Sequence, residues 1–390
     1  MWDVALPPHF TLLQVVPELE TGGAELSALE ISRAVVAAGG RSLVASQGGR
    51  LAARLAAEGG ELVTLPLASK SPLSILANAM RLARLIRREK VSLVHARSRA
   101  PAFSALWAAT VTGVPFLATY HGIYRARSKL KRWYNAVMTR GELVIANSEF
   151  TRQHVLAEHH IAPSKVVAIP RGVDLDAFDP WRVSVERVAR LRQAWGIAAD
   201  DPRVKVVLAG RLTRIKGQLT IIEAAARLKA SGRDDVLILF AGDDQGRSGY
   251  RQELQHAIAR AGLSDCVRLV GHCDDMPAAY LLADLAILPT TVPESFGRAA
   301  VEPQAMGRPV IASAHGGAVE TVAAGETGWL APPQDAAAWA EALAAAVDLG
   351  PEGRLRMGEA AMARARRLYR TEAMCEATIE AYVSVLEART

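Results

Sequence analysis

This sequence predicts an α/β chain built from two doubly wound, mainly parallel sheets, and three observations carry the prediction. Short β-rich runs alternate with longer runs of helical period, the alternation is run through twice, and 390 residues are too many for one ordinary core. Half of those residues are apolar, enough to fill two domains of Rossmann size.

The first series predicts strands over 11–16, 41–46, 61–65, 92–96, 116–120, 143–146 and 165–169, with helices over 25–38 and 51–57 between them. The second predicts strands over 204–209, 236–241, 267–270, 285–288, 310–313 and 328–330. Between the two, residues 174–201 hold Asp179-Pro180 and Asp201-Pro202 around a charged helix over 185–193, which reads as a connection. The boundary is expected near residue 175. The end of the chain, 351–390, reads as helical throughout, with Tyr369, Ile379, Tyr382, Val383 and Leu386 on one apolar face.

Composition narrows the function classes. The longest strongly apolar stretches, such as 12–16 and 204–209, fall far short of the roughly 18 to 20 residues of a membrane span. Met1-Trp2-Asp3-Val4-Ala5 has no basic head and opens no apolar signal core, so a cytosolic location is expected. Cys266, Cys273 and Cys375 lack metal or redox spacing and read as reduced and structural. The net charge of +6 is uneven: residues 1–175 carry 21 Lys and Arg against 12 Asp and Glu, a balance of +9, and the remainder carries −3. The first half therefore suits an anionic surface.

Three motifs carry chemistry. Thr21-Gly22-Gly23-Ala24-Glu25 lies between the first strand and its helix, where paired glycines let the backbone approach a ligand and helix amides face phosphate oxygens. Taken alone, it equally suits a tight turn. It is not Gly-x-Gly-x-x-Gly, which removes the main support for a nicotinamide oxidoreductase. Ala209-Gly210-Arg211-Leu212-Thr213-Arg214-Ile215-Lys216-Gly217 follows the first strand of the second series. Arg211 and Lys216 there offer two positive charges at the strand end where open α/β sheets bind ligands, enough to serve a diphosphate without a metal. Pro293-Glu294-Ser295-Phe296-Gly297-Arg298-Ala299-Ala300-Val301-Glu302 sets two carboxylates about a helix start, with the amides near Ser295, Phe296 and Gly297 able to meet phosphate or sugar oxygens. Pro303 is expected to kink or loosen this helix.

The order and spacing of these motifs resemble glycosyltransferase family 4, which includes lipopolysaccharide core and phosphatidylinositol mannosyltransferases. The likeness covers essentially the whole chain. It is supported by Ala146-Asn147-Ser148-Glu149-Phe150, Ile169-Pro170-Arg171-Gly172-Val173-Asp174, Ala283-Asp284 before Leu288-Pro289, and Gly307-Arg308-Pro309-Val310-Ile311-Ala312.

The resemblance implies a GT-B fold: Rossmann-like domains facing each other across a cleft, 1–175 for the acceptor and 176–370 for a nucleotide-sugar donor, with a helix over 371–390 packing back on the first. It also implies a retaining glycosyltransferase moving a hexose from a UDP- or GDP-sugar to an envelope glycolipid or polysaccharide, lipopolysaccharide-type foremost. Arg211 and Lys216 then hold the diphosphate with Gly210, Glu294 binds the sugar, and Glu302 accepts from the ribose hydroxyls. Gly22 and Gly23 approach the diphosphate, and His121, in Thr119-Tyr120-His121-Gly122, contacts the donor sugar. No protein nucleophile is implied, because a phosphate oxygen of the donor takes the acceptor proton, and no cofactor or metal is expected, because Arg211 and Lys216 already neutralise the diphosphate. Asp174-Leu175-Asp176 spells the Asp-x-Asp of metal-dependent transferases but falls in the connecting segment.

Two rivals use the same kind of site: a GT-B epimerase or phosphorylase, and a non-catalytic nucleotide-sugar-binding protein. The epimerase needs further acid and base carboxylates, and the phosphorylase a pyridoxal-phosphate lysine; neither can be assigned. Tyr124-Arg-Ala-Arg-Ser-Lys-Leu-Lys-Arg-Trp-Tyr134, with a second basic run over 81–90, interleaves cations and aromatic rings. That pattern suits peripheral docking on an anionic membrane, here the inner face of the plasma membrane. No nucleic-acid signature accompanies the charge, so nucleic acid is not an expected partner.

Overall fold

A computed structural model of the chain describes residues 5–20, 22–124, 126–246 and 248–389. Residues 1–4 of the N-terminal segment, Thr21 of the first glycine motif, Arg125 of the basic-aromatic stretch and Thr390 lie outside the described residues. The chain divides into two compact units, Met1–Gly172 with Thr371–Thr390, and Val173–Arg370.

The first unit holds a seven-stranded sheet of β1 (Thr11–Val15), β2 (Arg41–Ser46), β3 (Glu61–Thr64), β4 (Leu93–Ala96), β5 (Phe116–Tyr120), β6 (Leu143–Ala146) and β7 (Val166–Ala168), in the order β3-β2-β1-β4-β5-β6-β7. Every pairing is parallel. Helices cover both faces of such a sheet, so its strands are apolar at consecutive positions and not at alternate ones. Leu13, Val94, Phe116 and Val144 pack against Leu82 and Ile86 of helix Pro72–Arg88 and Ala102 and Ala105 of helix Arg99–Thr112. Their neighbours Leu12, Leu93, Leu117 and Ile145 face the other way, onto Ile31 and Val35 of helix Gly23–Ala37 and onto Cys375, Ile379 and Tyr382 of helix Thr371–Glu387.

The C-terminal segment is not one helix. It forms Gly350–Leu368 and Thr371–Glu387, broken at Tyr369 and Arg370. The Val173 amide donates to the Tyr369 carbonyl at 2.7 Å, and the Tyr369 side chain joins Val173, Phe296 and Val301, away from the Ile379 face expected for it. Helical periodicity is a local signal, and it cannot register that the chain passes here from one unit to the other.

The second unit holds six parallel strands, β8 (Val204–Ala209), β9 (Val236–Ala241), β10 (Val267–Gly271), β11 (Leu285–Leu288), β12 (Val310–Ser313) and β13 (Gly328–Ala331), in the order β10-β9-β8-β11-β12-β13. Val206, Ile238 and Ile287 face Trp339 and Leu343, while Val207, Leu239 and Leu288 face Trp195, Tyr280 and Met306. Helix Val185–Ala194 of the connecting segment packs within this unit, its Arg187 gripping both oxygens of Asp275 at 2.6 and 2.9 Å. Among the described residues no helix is long and apolar enough to cross a membrane. In each sheet the winding reverses beside the first strand, between β1 and β4 and between β8 and β11, and the carboxyl edge at such a reversal is where open α/β sheets bind ligands.

Candidate active site

The carboxyl edge of the second sheet gathers the charged motif residues. Gly217 ends the turn after β8 with a positive φ of 75°, and a Cβ there would lie 1.7 Å from the Pro289 carbonyl oxygen, so only glycine lets this turn lie against the end of β11. The turn brings Lys216 to Glu294, and the ammonium and carboxylate form a short charge-assisted hydrogen bond. Both side chains are about one-fifth exposed, at 19% and 22%. Arg211 is exposed and reaches the Gln245 side-chain carbonyl at 3.3 Å. Arg211 and Lys216 therefore do not stand as two free cations, since Lys216 is already matched by a carboxylate.

Glu294 itself is held from behind. A Cβ on Gly316 would come within 2.5 Å of the Glu294 carbonyl oxygen, and the Gly317 amide donates to that oxygen at 2.8 Å. This glycine pair after β12 was not singled out in the sequence, although two adjacent glycines just past a strand end are the available signal. Gly297 caps helix Arg298–Ala305 with a φ of 88°. Pro303 lies inside this helix, which ends two residues later: the Met306 amide closes on the Glu302 and Pro303 carbonyls, and Gln304 Nε2 donates to the carbonyls of Ala300 and Thr321. The Phe296 ring is core, 2% exposed and edge-on to Tyr369, so its contribution to a ligand site is confined to its backbone.

Glu302 lies one helical turn beyond Arg298, whose Nε is 3.4 Å from its carboxylate, and the Tyr280 hydroxyl donates to it at 3.5 Å. Burial pushes this carboxyl above the usual carboxylate range, and the pull of Arg298 offsets only part of that. Ser295 and Gly210 complete the edge. The Asp-x-Asp is occupied by its own loop: Asp174 accepts the amides of Asp176 and Ala177 at 3.0 and 3.1 Å, and Asp176 pairs with Arg182 at 2.8 Å.

The first sheet has its own polar edge. Gly22 is the N-cap of helix Gly23–Ala37, and its amide donates to the Glu25 carboxylate at 2.6 Å, so one of the amides expected to face phosphate is engaged. Arg171, just past β7 and 9% exposed, donates through Nη2 to the Gly23 carbonyl and to His121 Nδ1, each at 2.7 Å. A Cβ on Gly23 would fall 2.2 Å from Arg171 Nη1, so a larger residue here would displace the end of the Arg171 side chain. Burial, then the charges of Arg171 and Arg97, hold His121 well below the usual imidazole range, and it is neutral. Beneath it, fully buried His95 bridges the Tyr382 hydroxyl at 2.6 Å and the Thr119 hydroxyl at 2.7 Å, and burial keeps it neutral as well. Arg171 belongs to the Ile169–Asp174 motif, and a cation just past a strand of the sheet is the sequence signal for it.

A model described as Glycosyl transferases group 1 matches residues 190–364, and one described as Glycosyltransferase Family 4 matches residues 21–177. A glycosyltransferase from Rickettsia africae ESF-5 is 32% identical, with a TM-score of 0.90 over 98% of this chain and 100% of that one. The D-inositol 3-phosphate glycosyltransferase of Corynebacterium jeikeium (strain K411) is 31% identical over 251 residues, 63% of this chain and 58% of that protein. The chain thus spans little more than half the length of this curated relative. Anabaena Alr3699/HepE, solved in complex with UDP-glucose, has the same fold at a TM-score of 0.82 and 24% identity, over 96% of this chain and 100% of that one. Similar along its whole length to the Rickettsia protein, with two parallel Rossmann-like sheets and both halves matched by glycosyltransferase models, the chain belongs to the GT-B glycosyltransferases of family 4.

Proposed function

We propose that the chain is a retaining hexosyltransferase that moves a hexose from a UDP- or GDP-sugar to an envelope glycolipid or polysaccharide, lipopolysaccharide-type acceptors foremost. The observation that carries this reading is the carboxyl edge of the second sheet, where Lys216 pairs with Glu294, Arg298 pairs with Glu302, and Arg211 stands exposed after β8. Cations there match a departing diphosphate, and carboxylates match sugar and ribose hydroxyls. The UDP-glucose bound by HepE favours uridine as the donor base.

In the reaction the bond from the anomeric carbon to the diphosphate oxygen breaks and one to the acceptor oxygen forms on the same face. The acceptor proton passes to a phosphate oxygen of the leaving nucleotide, so no side chain is consumed. The Lys216–Glu294 pair gives this a binding step: the diphosphate draws Lys216 to itself, and Glu294 is released to accept from the sugar hydroxyls. His121, Gly22 and Gly23 serve the donor from the first unit, as the family resemblance implies. With the diphosphate matched by side-chain cations, turnover needs neither metal nor cofactor.

The first unit docks on anionic lipid at the cytoplasmic face of the membrane. Helix Lys129–Asn135 presents Leu130 at 75% and Trp133 at 53% exposure beside Lys129, Lys131 and Arg132, and helix Pro72–Arg88 exposes Leu73, Leu76 and Met80 before its own run of arginines.

The test is a panel of nucleotide sugars read by thermal shift, followed by product detection with extracted envelope glycolipids in excess EDTA. A hexose-bearing product with unchanged anomeric configuration is expected. Loss of turnover in EDTA, restored by Mg²⁺ or Mn²⁺, would overturn the metal-free mechanism, and nucleotide-sugar binding without any product would favour the non-catalytic binding protein.

A further inference from the structure

We propose that Arg171 is a positioning residue for the transfer reaction: its guanidinium holds His121 Nδ1 and the Gly23 carbonyl together and thereby fixes His121 as a hydrogen-bond donor through Nε2, not as a base. The link to transfer rests on the proposed function; the statement about the His121 ring does not.

An arginine side chain has N–H donors and no acceptor. Its Nη2 lies 2.7 Å from His121 Nδ1, so Nδ1 must offer its lone pair, and the proton of the neutral ring sits on Nε2. A doubly protonated ring would turn an N–H against a guanidinium, which the contact does not tolerate. The guanidinium is held in place by a second bond, because the same nitrogen donates to the Gly23 carbonyl at 2.7 Å and the side chain is 9% exposed. The strand ends supply the geometry: His121 follows β5 and Arg171 follows β7, on either side of β6 at the carboxyl edge, and Gly23 opens the helix that follows β1.

One consequence concerns catalysis. With its proton on Nε2 and its lone pair engaged, His121 cannot take the acceptor proton at Nε2, but it can donate to a sugar oxygen. A second consequence is coupling, since whatever moves the Gly23 backbone moves the nitrogen that sets the His121 tautomer. Histidine, arginine and the glycine loop form one unit, and a donor diphosphate approaching Gly23 would meet a loop already tied to the histidine that serves its sugar.

The experiment is a long-range ¹⁵N–¹H correlation spectrum of ¹⁵N-histidine-labelled full-length chain, with His121 assigned from a His121→Gln variant. The wild type is expected to show an unprotonated Nδ1 and a protonated Nε2. Arg171→Met should lose that assignment, giving mixed tautomers or an Nδ1–H ring. Arg171→Lys, which also only donates, should keep it. Unfolding midpoints establish that each variant is folded. In turnover, Arg171→Met should lower kcat roughly 10-fold with nucleotide diphosphate affinity unchanged, and Arg171→Lys should recover part of the loss. An Nδ1–H ring in the wild type, or an unchanged Nε2–H ring in folded Arg171→Met, would overturn the proposal. If no nucleotide sugar supports transfer, the proposed function fails while the tautomer result still decides the role of Arg171.

Discussion

Lys216 and Glu294, 78 residues apart, meet in a short ion pair at the carboxyl edge of the second sheet, each with about a fifth of its side chain in solvent. A cation proposed for the diphosphate is thus stored against a carboxylate proposed for the sugar, and the two must separate for both to act. Replacing Glu294 by Gln removes the competitor for Lys216, so free nucleotide diphosphate should bind at least as tightly as to the wild type. Turnover should still fall, because one charge-assisted hydrogen bond to the transition state, about 1.5 to 3 kcal/mol, corresponds to roughly 10- to 150-fold in rate. Calorimetry and steady-state kinetics on the same preparation test the pair of outcomes. Weaker nucleotide binding with an intact maximal rate would assign Glu294 to the nucleotide instead of the sugar.

Glu302 yields a pH prediction. Its carboxyl is held above the usual range, chiefly by burial, while Arg298 and Lys216 pull the other way and the Tyr280 hydroxyl steadies the charged form. Only the ionised form accepts from both ribose hydroxyls, so binding favours deprotonation, and nucleotide affinity should rise as pH climbs through the raised pKa and fall in acid below it. The midpoint should lie above that of an ordinary glutamate. Affinity measured between pH 5 and 8 should show the slope in the wild type and lack it in Glu302→Gln, which also separates it from titration of the nucleotide itself. Parallel curves would remove Glu302 from the ribose.

The strands were the most legible part of this sequence, because parallel strands buried on both faces are short unbroken apolar runs. β2, β5, β6, β8, β9, β11 and β12 have the limits read from the residues. Cations and carboxylates placed by motif, such as Arg211 and Glu302, could be named because strand ends and helix starts are local features. What spacing could not show is pairing between distant segments. Lys216 opposite Glu294, Arg171 opposite His121, and Gly317 behind Glu294 depend on which strands lie side by side, and sheet order is a property of the whole fold. The break at Tyr369 escaped for the same reason.

His95 and His121 make the first unit sensitive to acid. Both are held well below the ordinary imidazole value by burial, with Arg97 acting on both and Arg171 on His121. The unfolded chain takes up these protons near pH 6.5, while the folded unit refuses them until much lower pH. Their contribution is therefore complete above that value and is lost as pH falls below it, by about 1.4 kcal/mol per histidine per pH unit. Urea midpoints between pH 7 and 5.5 should drop steeply, and the slope should be shallower in His121→Gln. An unchanged slope would mean that His121 titrates normally.

Membrane docking predicts co-sedimentation with vesicles containing anionic phosphatidylglycerol, weakening as salt is raised. Changing Arg127, Lys129, Lys131 and Arg132 to Ser should weaken it by up to about 1,000-fold, because each of the four basic residues near the surface contributes about 1 kcal/mol. Replacing the exposed Leu130 and Trp133 by Ser should weaken binding without altering its salt dependence, since these side chains act by burial and not by charge. Equal binding to neutral vesicles would argue against an anionic surface as the partner.

Gly23 provides the sharpest separation of stability from function. It is the first residue of helix Gly23–Ala37, and alanine there suits the helix better than glycine by up to about 1 kcal/mol. The added methyl would nonetheless lie 2.2 Å from Arg171 Nη1, the far end of a side chain whose other nitrogen holds His121. The guanidinium is the part that can give way. Gly23→Ala should therefore leave the unfolding midpoint within about 0.5 kcal/mol of the wild type, yet lower kcat and disturb the His121 ring assignment as Arg171→Met does. The two substitutions should not add: once Arg171 is replaced by Met, Gly23→Ala should have little further effect on turnover, a coupling of 0.5 kcal/mol or more in a double-mutant cycle. Additive losses would show that Gly23 acts directly on its ligand and not through Arg171, and the link from the glycine loop to His121 would have to be given up.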